Sequence, residues 1–388
     1  MKLGNDWERR VEGGDTDPIR DGHGERGQSE ASQCDRSGEE NRLLSPCWVL
    51  GLSLVASPSD RPLYDVVGIG NALVDVISHA DDSFIHRESL VKGSMTLVDT
   101  ERALHLYRAL GSAVEMSGGS AANTVCGVSS FGGKAAYIGK VSGDDLGDVF
   151  GHDLLAVGVH FSPGKPLDGI PTGRCIIVVT PDAQRTMNTY LGVSSYMEPL
   201  DINEAVVANG RVLYMEGYLF DRDDAKAAFR HAAKVAHKAG REVSLTLSDS
   251  FCVDRHREDF RELVEDEVDI LFGNEHELMS LYELDTFEAA IAAIRRDSSL
   301  AIITRGEMGA MVITRGAIVD IAVEPVNHVV DTTGAGDLFA AGFLFGYTNG
   351  FDLAESGRLG ALAASEVISH VGPRPLVELK SLLPQSKG

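Results

Sequence analysis

The sequence predicts an α/β protein with a mainly parallel central sheet, helices on both of its faces, and a small second sheet. Two observations predict this fold class. From residue 64 onwards, short apolar runs alternate with segments of helical spacing, as is typical of parallel strands joined by helices. Two regions, residues 80–98 and 172–196, have an extended pattern without paired helices. We expect these regions to form a small β-sheet lid beside the main sheet.

The individual elements follow from local patterns. Residues 64–78 predict a strand with a glycine interruption, and residues 120–132 predict a helix capped by Ser120. Residues 173–190 predict a hairpin with a Pro-Asp turn at 181–182. The remaining predicted strands lie at 134–142, 211–218, 242–248, 268–274 and 300–306, with two more through 310–322. The remaining predicted helices lie at 100–111, 145–159, 223–240, 257–265, 275–282 and 286–296, with two more at the C-terminus.

Length and composition narrow the functional classes. The 388 residues are enough for two or three average domains, or for one large α/β domain with an appendage. The formal net charge of −23 argues against binding to polymeric nucleic acid, although local backbone amides still allow small phosphorylated ligands to bind. The five cysteines are scattered without zinc-ligand spacing. We therefore expect a reduced, cytoplasmic protein without a structural metal.

The first 60 residues differ from the rest. Residues 1–43 contain almost no apolar side chains, so burial cannot offset the entropy lost on ordering them. Residues 43–57 are apolar, but they are too few to span a membrane and too far from residue 1 for a typical signal peptide. The alternatives are a signal peptide, a docking segment and a non-functional appendage, and we favour the last. We expect residues 1–60 to be a disordered or non-native extension, and residues 61–388 to form the functional domain.

Residues 68–75, GIGNALVD, follow a predicted strand. They begin like a dinucleotide-binding fingerprint, but Leu73 stands where a small residue is required, and no helix follows. We interpret the segment as a strand end that directs Asn71 and Asp75 into a crevice, where they would suit a ligand with several hydroxyls. The alternative is an ordinary turn, in which Asn and Asp are common.

Two glycine-containing turns are candidates for ligand contact. Residues 117–124, SGGSAANT, predict a turn in which Gly118 and Gly119 let a ligand approach the backbone, with Asn123 in the first turns of the following helix. The alternative is an ordinary helix N-cap with a flexible approach. Residues 303–310, ITRGEMGA, predict a strand and a Gly-x-x-Gly turn, whose amides either line a nucleotide or form a plain turn.

Residues 272–277, FGNEHE, end a predicted strand and begin a helix. Asn274 and Glu277 lie one helical turn apart, so both side chains can reach one bound ion or its waters. A hard cation such as Mg²⁺ takes oxygen ligands and keeps several of its waters. The alternative is a helix cap followed by a solvated glutamate.

Residues 331–337, DTTGAGD, run directly into an apolar helix and carry the strongest signal. This pattern fits phosphoryl transfer, which depends on positioning and charge stabilisation more than on covalent chemistry. The amides of Gly334, Ala335 and Gly336 would contact the oxygens of the moving phosphoryl group. Asp337 would accept the proton from the attacking hydroxyl.

Taken together, these motifs resemble the ribokinase-like (PfkB) family of small-molecule kinases. GGSAAN and DTTGAGD match the two signatures of that family in the right order, and NEHE matches its Asn-x-x-Glu element. The resemblance covers residues 65–373. It implies a ribokinase-like α/β/α sandwich, with a small β-sheet lid over the acceptor site.

The resemblance also implies roles for the matching residues. The implied catalytic set consists of the general base Asp337, the anion hole of Gly334, Ala335 and Gly336, and Arg185 near the transferred phosphate. The implied acceptor-binding set consists of Asn71, Asp75, Gly118, Gly119 and Asn123. The implied ATP-binding set consists of Asn274, Thr304, Gly306 and Gly309. The implied ion ligands are Asn274 and Glu277 for Mg²⁺ through water, and Asp331 and Thr333 for a monovalent cation such as K⁺.

Within the family, GNALVD, the KGSM segment at residues 92–95, and RTMNTYLG resemble the adenosine kinase branch and its bacterial relatives. A nucleoside needs a surface on which its base stacks, and Phe84, Tyr218 and Phe220 are candidates for it. We expect ATP-dependent phosphorylation of a primary hydroxyl, with the 5′-hydroxyl of adenosine as first candidate and a free sugar such as fructose or ribose as the alternative. A catalytically silent ligand sensor on the same fold is a further alternative, which the intact Asp337 disfavours.

The expected partners are therefore ATP and a small nucleoside or sugar. Nucleic acid and membranes are not expected as partners, and the chain is expected to be a monomer or a homodimer. Closure of the lid would exclude water, which competes as an acceptor.

Overall fold

The computed structural model describes residues 62–182 and 184–383. The predicted extension at residues 1–60 lies outside the described residues. The described strands are β1 (Tyr64–Ile69), β2 (Leu73–His79), β3 (Met95–Leu97), β4 (Ala113–Gly118), β5 (Ala135–Gly139), β6 (His160–Pro163), β7 (Gly173–Val179), β8 (Arg185–Tyr190), β9 (Gly210–Glu216), β10 (Glu242–Thr246), β11 (Ile270–Asn274), β12 (Leu300–Thr304), β13 (Ala310–Thr314) and β14 (Ile318–Ile321).

The helices of the same residues alternate with these strands. They are α1 (Asp82–Arg87), α2 (Thr100–Ala109), α3 (Ser120–Ser130), α4 (Asp145–Ala156), α5 (Glu204–Ala208), α6 (Asp223–Lys238), α7 (Ser250–Asp266), α8 (Glu275–Tyr282), α9 (Phe287–Asp297), α10 (Ala335–Thr348) and α11 (Leu353–Val367). In the described part of the chain, no helix has both the length and the apolar content needed to cross a membrane.

The larger sheet has the strand order β14-β13-β12-β11-β10-β9-β1-β5-β6. The pairs from β6 through β12 are parallel, and β13 and β14 are added antiparallel at one edge. Parallel strands place their carboxyl ends at one edge of the sheet, and ligands of α/β proteins bind outside that edge. The loops that follow β9, β10, β11 and β12 therefore emerge on the same side.

Each face of the larger sheet has its own hydrophobic core. Val66 and Val212 pack in a cluster with side chains of α3, α4, α10 and α11. Their strand neighbours Val67 and Leu213 pack in a second cluster with side chains of α6 to α9. Successive side chains of a strand point to opposite faces, so strands that are apolar throughout require helices on both. The predicted α/β class with a large, mainly parallel sheet is confirmed.

The smaller sheet has the strand order β3-β8-β7-β2-β4. The segments predicted to form it supply β3, β7 and β8. The sequence predicts that segment 80–98 is extended, but it also contains α1, because the Asp81 side chain caps that helix by accepting from the amide of Phe84. The other strands, β2 and β4, come from outside the two predicted segments. Residues 64–78 thus form two strands in two different sheets, not one interrupted strand.

Two predicted helix starts are wrong in detail. The N-cap of α3 is Gly119, with a φ of 95°, and Ser120 is the first helical residue instead of the cap. Helix α7 begins at Ser250, before the predicted residue 257, because the Asp249 side chain accepts from the amide of Cys252 and caps it. A backbone kink at His256 interrupts the helical pattern of the sequence at this point.

Candidate active site

A cavity of about 1180 Å³ lies at the carboxyl ends of the parallel strands. One part of its wall comes from residues at the ends of β9, β10, β11 and β12 and from the start of α10. The small sheet supplies another part. The predicted site residues that line it are Asn71, Asp75, Gly119, Asn123, Asn274, Glu277, Thr304, Thr333, Gly334, Ala335, Gly336 and Asp337. The fold therefore gathers most of the predicted site into one cavity.

The start of α10 forms a tight turn at the cavity wall. Gly334 is its N-cap in the left-handed conformation, with a φ of 79°, and an added Cβ would lie 2.8 Å from the Cα of Pro373. Ala335 donates its amide to the carbonyl of Thr332 at 3.2 Å. Within the described residues, no hydrogen bond engages the amides of Gly334 and Gly336. Two of the three predicted anion-hole donors thus remain available to a ligand.

The Asp337 carboxylate is partly buried and held by two side chains of α3. Ser120 donates its hydroxyl to Oδ1 at 2.6 Å, and Asn123 donates Nδ2 to Oδ2 at 2.9 Å. Burial raises the pKa of Asp337, and these two hydrogen bonds oppose that rise. The carboxylate therefore lies in a fixed orientation at the cavity wall, as a general base requires.

A buried carboxylate that the sequence analysis missed lies at the end of β9. Glu216 accepts from the backbone amide and from Nδ2 of Asn71, at 3.3 and 3.0 Å, and from the amide of Ala121 at 2.9 Å. Burial raises the pKa of Glu216 to about 7. Asn71 also accepts from the Ser194 hydroxyl at 3.0 Å, so protein partners hold its amide group at both ends. The only signal in the sequence was a charged residue at the end of a buried strand.

Asp75 lies on β2 of the small sheet and is 8% exposed. Among the described residues no donor is hydrogen-bonded to its carboxylate, in contrast to Glu216 and Asp337. Burial raises the pKa of Asp75 to about 6, although the positive charges of Arg185 and Arg374 oppose the rise. This carboxylate is free to accept hydrogen bonds from a ligand.

Glycines make room for these polar groups. A Cβ at Gly118 would lie 2.5 Å from the Asp75 carboxyl group, so a larger residue there would displace that side chain. A Cβ at Gly119 would collide with the carbonyl oxygen of Asn71. Gly118 does not itself line the cavity, and its role is to accommodate Asp75.

Asn274 and Glu277 form a capping box at the start of α8. The Asn274 side chain accepts from the amide of Glu277 at 2.9 Å, and Glu277 Oε2 accepts from the amide of Asn274 at 3.0 Å. The glutamate is only 6% exposed, and burial raises its pKa to about 7. The cap of the alternative interpretation is present, but the solvated glutamate is not. A buried carboxylate and an amide oxygen at a cavity wall fit the oxygen ligands that Mg²⁺ takes.

Four other predicted residues have different surroundings. Gly306 and Gly309 shape the turn between β12 and β13 and are not part of the cavity wall. Arg185 is ion-paired with Asp331, which also accepts from the amide and hydroxyl of Thr333 at 3.0 and 2.7 Å. Arg185 and Asp331 lie outside the wall of the large cavity. Within the described residues, no cluster of three or more His, Cys, Asp or Glu side chains is suited to a metal ion.

The three aromatic residues predicted to stack on a nucleobase lie in different surroundings. Tyr218 lines the cavity. Phe220 instead stacks on Phe260 in the core, with ring centroids 4.3 Å apart. Phe84 is buried against Val178 in a small cluster of its own. Neither phenylalanine is a stacking surface for a ligand.

The charged residues that line the cavity are mostly acidic. Its acidic residues are Asp75, Glu216, Asp221, Asp249, Glu277 and Asp337. Among the described lining residues, Arg255 is the only Lys or Arg, and it donates to Asp221 at 3.1 Å. A polyanionic ligand therefore requires a cation of its own in this cavity.

Known kinases resemble this chain in sequence and in fold. The family model described as pfkB family carbohydrate kinase matches residues 96–379. The crystal structure of adenosine kinase from Sinorhizobium meliloti is 52% identical, with a TM-score of 0.76 over 82% of this chain and 98% of that one. A probable sugar kinase from Rhizobium etli is 48% identical, with a TM-score of 0.77 over 83% of this chain and 98% of that one. The 5-dehydro-2-deoxygluconokinase of Lacticaseibacillus casei is 26% identical over 79% of this chain and 90% of its own length.

Proposed function

This chain belongs to the pfkB family of carbohydrate kinases, and we propose that it transfers the γ-phosphoryl group of ATP to the 5′-hydroxyl of adenosine, giving AMP. Membership of the family makes it a phosphotransferase with a hydroxyl acceptor. The observation that carries the proposed chemistry is the fixed, partly buried Asp337 carboxylate beside the glycine turn at the start of α10.

Asp337 and the backbone amides of the turn have different roles in this reaction. Asp337 accepts the proton of the acceptor hydroxyl, whose oxygen then forms its bond to the γ-phosphorus as the bond to the β-phosphate oxygen breaks. The unengaged amides of Gly334 and Gly336 donate to the oxygens of the phosphoryl group in transit. Because these donors are fixed before the reaction, little reorganisation is needed in the transition state.

Asn274 and Glu277 would hold Mg²⁺ through its waters. The bound ion would neutralise charge on the triphosphate. This neutralisation matters here because carboxylates dominate the charged lining.

The acceptor is assigned from the wall contributed by the small sheet. That wall is largely apolar, and its apolar residues are Leu73, Met95, Leu97, Ile177 and Met187. An apolar wall suits a nucleobase, and Asp75 beside it suits ribose hydroxyls. The similarity to the Sinorhizobium meliloti adenosine kinase supports the same acceptor.

A free sugar is the second candidate acceptor. The similarity to a probable sugar kinase and to 5-dehydro-2-deoxygluconokinase favours it. The free carboxylate of Asp75 would serve a sugar as well as a nucleoside. A panel of nucleosides, hexoses and pentoses, assayed for acceptor-dependent ADP release, separates the two candidates. Turnover of fructose or ribose with none of adenosine would overturn the first assignment.

The role of Asp337 is tested by Asp337→Asn. Asparagine keeps the shape but cannot accept the proton, so we expect kcat to fall by about 10²–10⁴-fold. Binding of ATP, measured by calorimetry, should change little. Asp224→Asn, on an exposed part of α6, is the control and should retain full turnover. An Asp337→Asn enzyme with a tenth of normal kcat would exclude Asp337 as the base.

A further inference from the structure

The segment after α11 runs beside the glycine turn of the candidate active site. Val330 donates its amide to the carbonyl of Ile368 at 2.8 Å, and Gly372 donates its amide to Asp331 Oδ2 at 3.0 Å. Pro373 packs against the backbone of Gly334. This segment, residues 368–374, thus contacts the turn at successive points, and it ends at Arg374.

The Arg374 side chain joins the small sheet to α3. Its Nε donates to Asn123 Oδ1 at 2.8 Å, and its Nη2 donates to the carbonyl and hydroxyl oxygens of Ser117, at 3.1 and 3.2 Å. Ser117 belongs to β4 and is buried. The amide of Ser117 donates in turn to Asp153 Oδ2 at 2.8 Å. The guanidinium is therefore held in one orientation.

The contact with Asn123 determines which way that amide points. A guanidinium has donors and no acceptor, so the atom of Asn123 that faces it must be the oxygen. The NH₂ group of Asn123 then faces Asp337, to which it donates at 2.9 Å. If the amide were reversed, its oxygen would face a carboxylate oxygen, and the hydrogen bond would be replaced by repulsion.

We propose that Arg374 is a positioning residue for the phosphoryl-transfer reaction: it fixes the amide of Asn123 so that Asp337 always receives a hydrogen-bond donor. The inference rests on the proposed function, since it assigns Asp337 as the base. Arg374 lies 251 positions from Asn123 in the chain and in none of the recognised motifs.

The charges around Asp337 give this arrangement a measurable consequence. The titratable groups that interact with Asp337 are Asp75 on β2, Tyr214 and Glu216 on β9, and Tyr218 after it. The positive charge of Arg374, in contrast, lowers the pKa of Asp337. Without Arg374, both the lost charge and a reversed Asn123 amide would raise the pKa of Asp337.

The test compares Arg374→Met with Arg374→Lys. Both replacements have unbranched side chains, but only lysine keeps a positive charge and donors for Asn123. We expect Arg374→Met to lower kcat about tenfold, with KM for ATP changed less than about twofold, and to move the acid limb of the kcat profile up by about one pH unit. Arg374→Lys should restore most of kcat and the wild-type acid limb. Arg358→Met, at a half-buried ion pair on α11 that is not part of the cavity wall, controls for loss of an arginine.

Two results would overturn the proposal. One is an Arg374→Met enzyme with wild-type kcat and acid limb. The other is a lower kcat together with a lower melting temperature and an unchanged acid limb. That result would mean that Arg374 only stabilises the fold. Should Arg374→Met not fold, Arg374→Leu replaces it with the same expectations, because leucine also has neither a positive charge nor a hydrogen-bond donor.

A second measurement does not depend on turnover. The pKa of the Asp337 carboxyl group is measured in wild type and in Arg374→Met from the pH dependence of the ¹³C chemical shift of its carboxyl carbon. The Asp337→Asn variant identifies the signal. We expect a higher pKa in the Arg374→Met protein, and equal values would refute the inference. If wild type phosphorylated no acceptor in the panel, the proposed function would fail, while this titration would still decide whether Arg374 controls the state of Asp337.

Discussion

Single residues set the chemistry of the cavity by how their carboxylates are partnered. Glu216 accepts three hydrogen bonds and Asp337 accepts two, whereas no donor among the described residues reaches Asp75. Burial raises the pKa of all three. A carboxylate that accepts several hydrogen bonds from the protein holds the donor groups in place, whereas one without donors is available to a ligand. On this criterion we propose Asp75 as the carboxylate of the group that binds the acceptor.

Acceptor binding should therefore depend on pH through Asp75. Its pKa is raised to about 6, so the carboxyl group is protonated below that pH and ionised above it. Only the ionised form accepts hydrogen bonds at both oxygens. We expect the dissociation constant of the acceptor, measured by calorimetry, to be about tenfold larger at about pH 5 than at about pH 8.

Asp75→Asn is the matched variant for this measurement. It should bind the acceptor weakly at both pH values, because asparagine does not ionise in this range. A wild-type dissociation constant that stayed constant across the range would contradict the role of Asp75, as would an Asp75→Asn protein that kept the pH dependence.

At the scale of elements, the site depends on the close approach of α3 to α10. A Cβ at Gly127 on α3 would lie 2.6 Å from the Cβ of Ala341 on α10. Small residues at this contact let the helix backbones approach. The approach places Ser120 and Asn123 within hydrogen-bonding distance of Asp337. The start of α3 is in turn fixed by Gly119, which no other residue type can replace without strain.

Replacing Gly119 with alanine tests this dependence, and the same replacement at Gly132, at the other end of α3, is the control. Gly119 and Gly132 have φ values of 95° and 93°, so alanine costs about 1–2 kcal/mol of backbone strain at either position. Only at Gly119 would the new Cβ also collide with backbone, at the carbonyl of Asn71, whereas nothing lies near Gly132. We expect Gly119→Ala to lower the free energy of unfolding, measured in urea, by clearly more than Gly132→Ala does.

The two variants should differ in function as well. Gly119→Ala displaces Asn71 and the start of α3, so it should raise KM for the acceptor, and Gly132→Ala should leave KM unchanged. Equal losses of stability in the two variants would show that the contact with Asn71 does not constrain the site.

At the scale of the whole molecule, charge opposes the binding of a nucleotide. The chain has a formal net charge of −23, and six carboxylates against one arginine make up the charged residues of the described cavity wall. A free triphosphate would meet repulsion both from the wall and from the long-range field. The unengaged amides of Gly334 and Gly336 offset only part of it.

ATP binding should therefore require a divalent cation. We expect the dissociation constant of ATP to rise at least about tenfold when EDTA replaces Mg²⁺, because the uncompensated triphosphate then faces the carboxylates. Glu277→Gln should reduce this dependence, since it removes a proposed ligand. The uncharged acceptor is the control, and its affinity should not respond to EDTA. Equal ATP affinity with and without Mg²⁺ would contradict this account.

The sequence by itself determined the α/β class and the positions of most strands and helices. These follow from hydrophobic periodicity and capping residues, which are local properties of the chain. The glycine turn before α10 and the Asn274–Glu277 pair were also visible locally, because their residues are neighbours in sequence. Among the described residues, the separation of β1 from β2 and the strands β4 and β6 were not foreseen, because they carry no local signal strong enough to predict them.

Only the tertiary structure decided which groups meet at the site. Glu216 lies 145 positions from Asn71, and Arg374 lies 251 positions from Asn123, so neither pairing appears in any sequence window. Such contacts depend on how helices pack on the two faces of the sheet, which local propensity does not specify. The same packing placed Phe220 in the core and left Tyr218 at the cavity wall, although the two residues are close neighbours in the chain. Burial is a property of the folded molecule, and it separates chemically similar side chains into structural and functional groups.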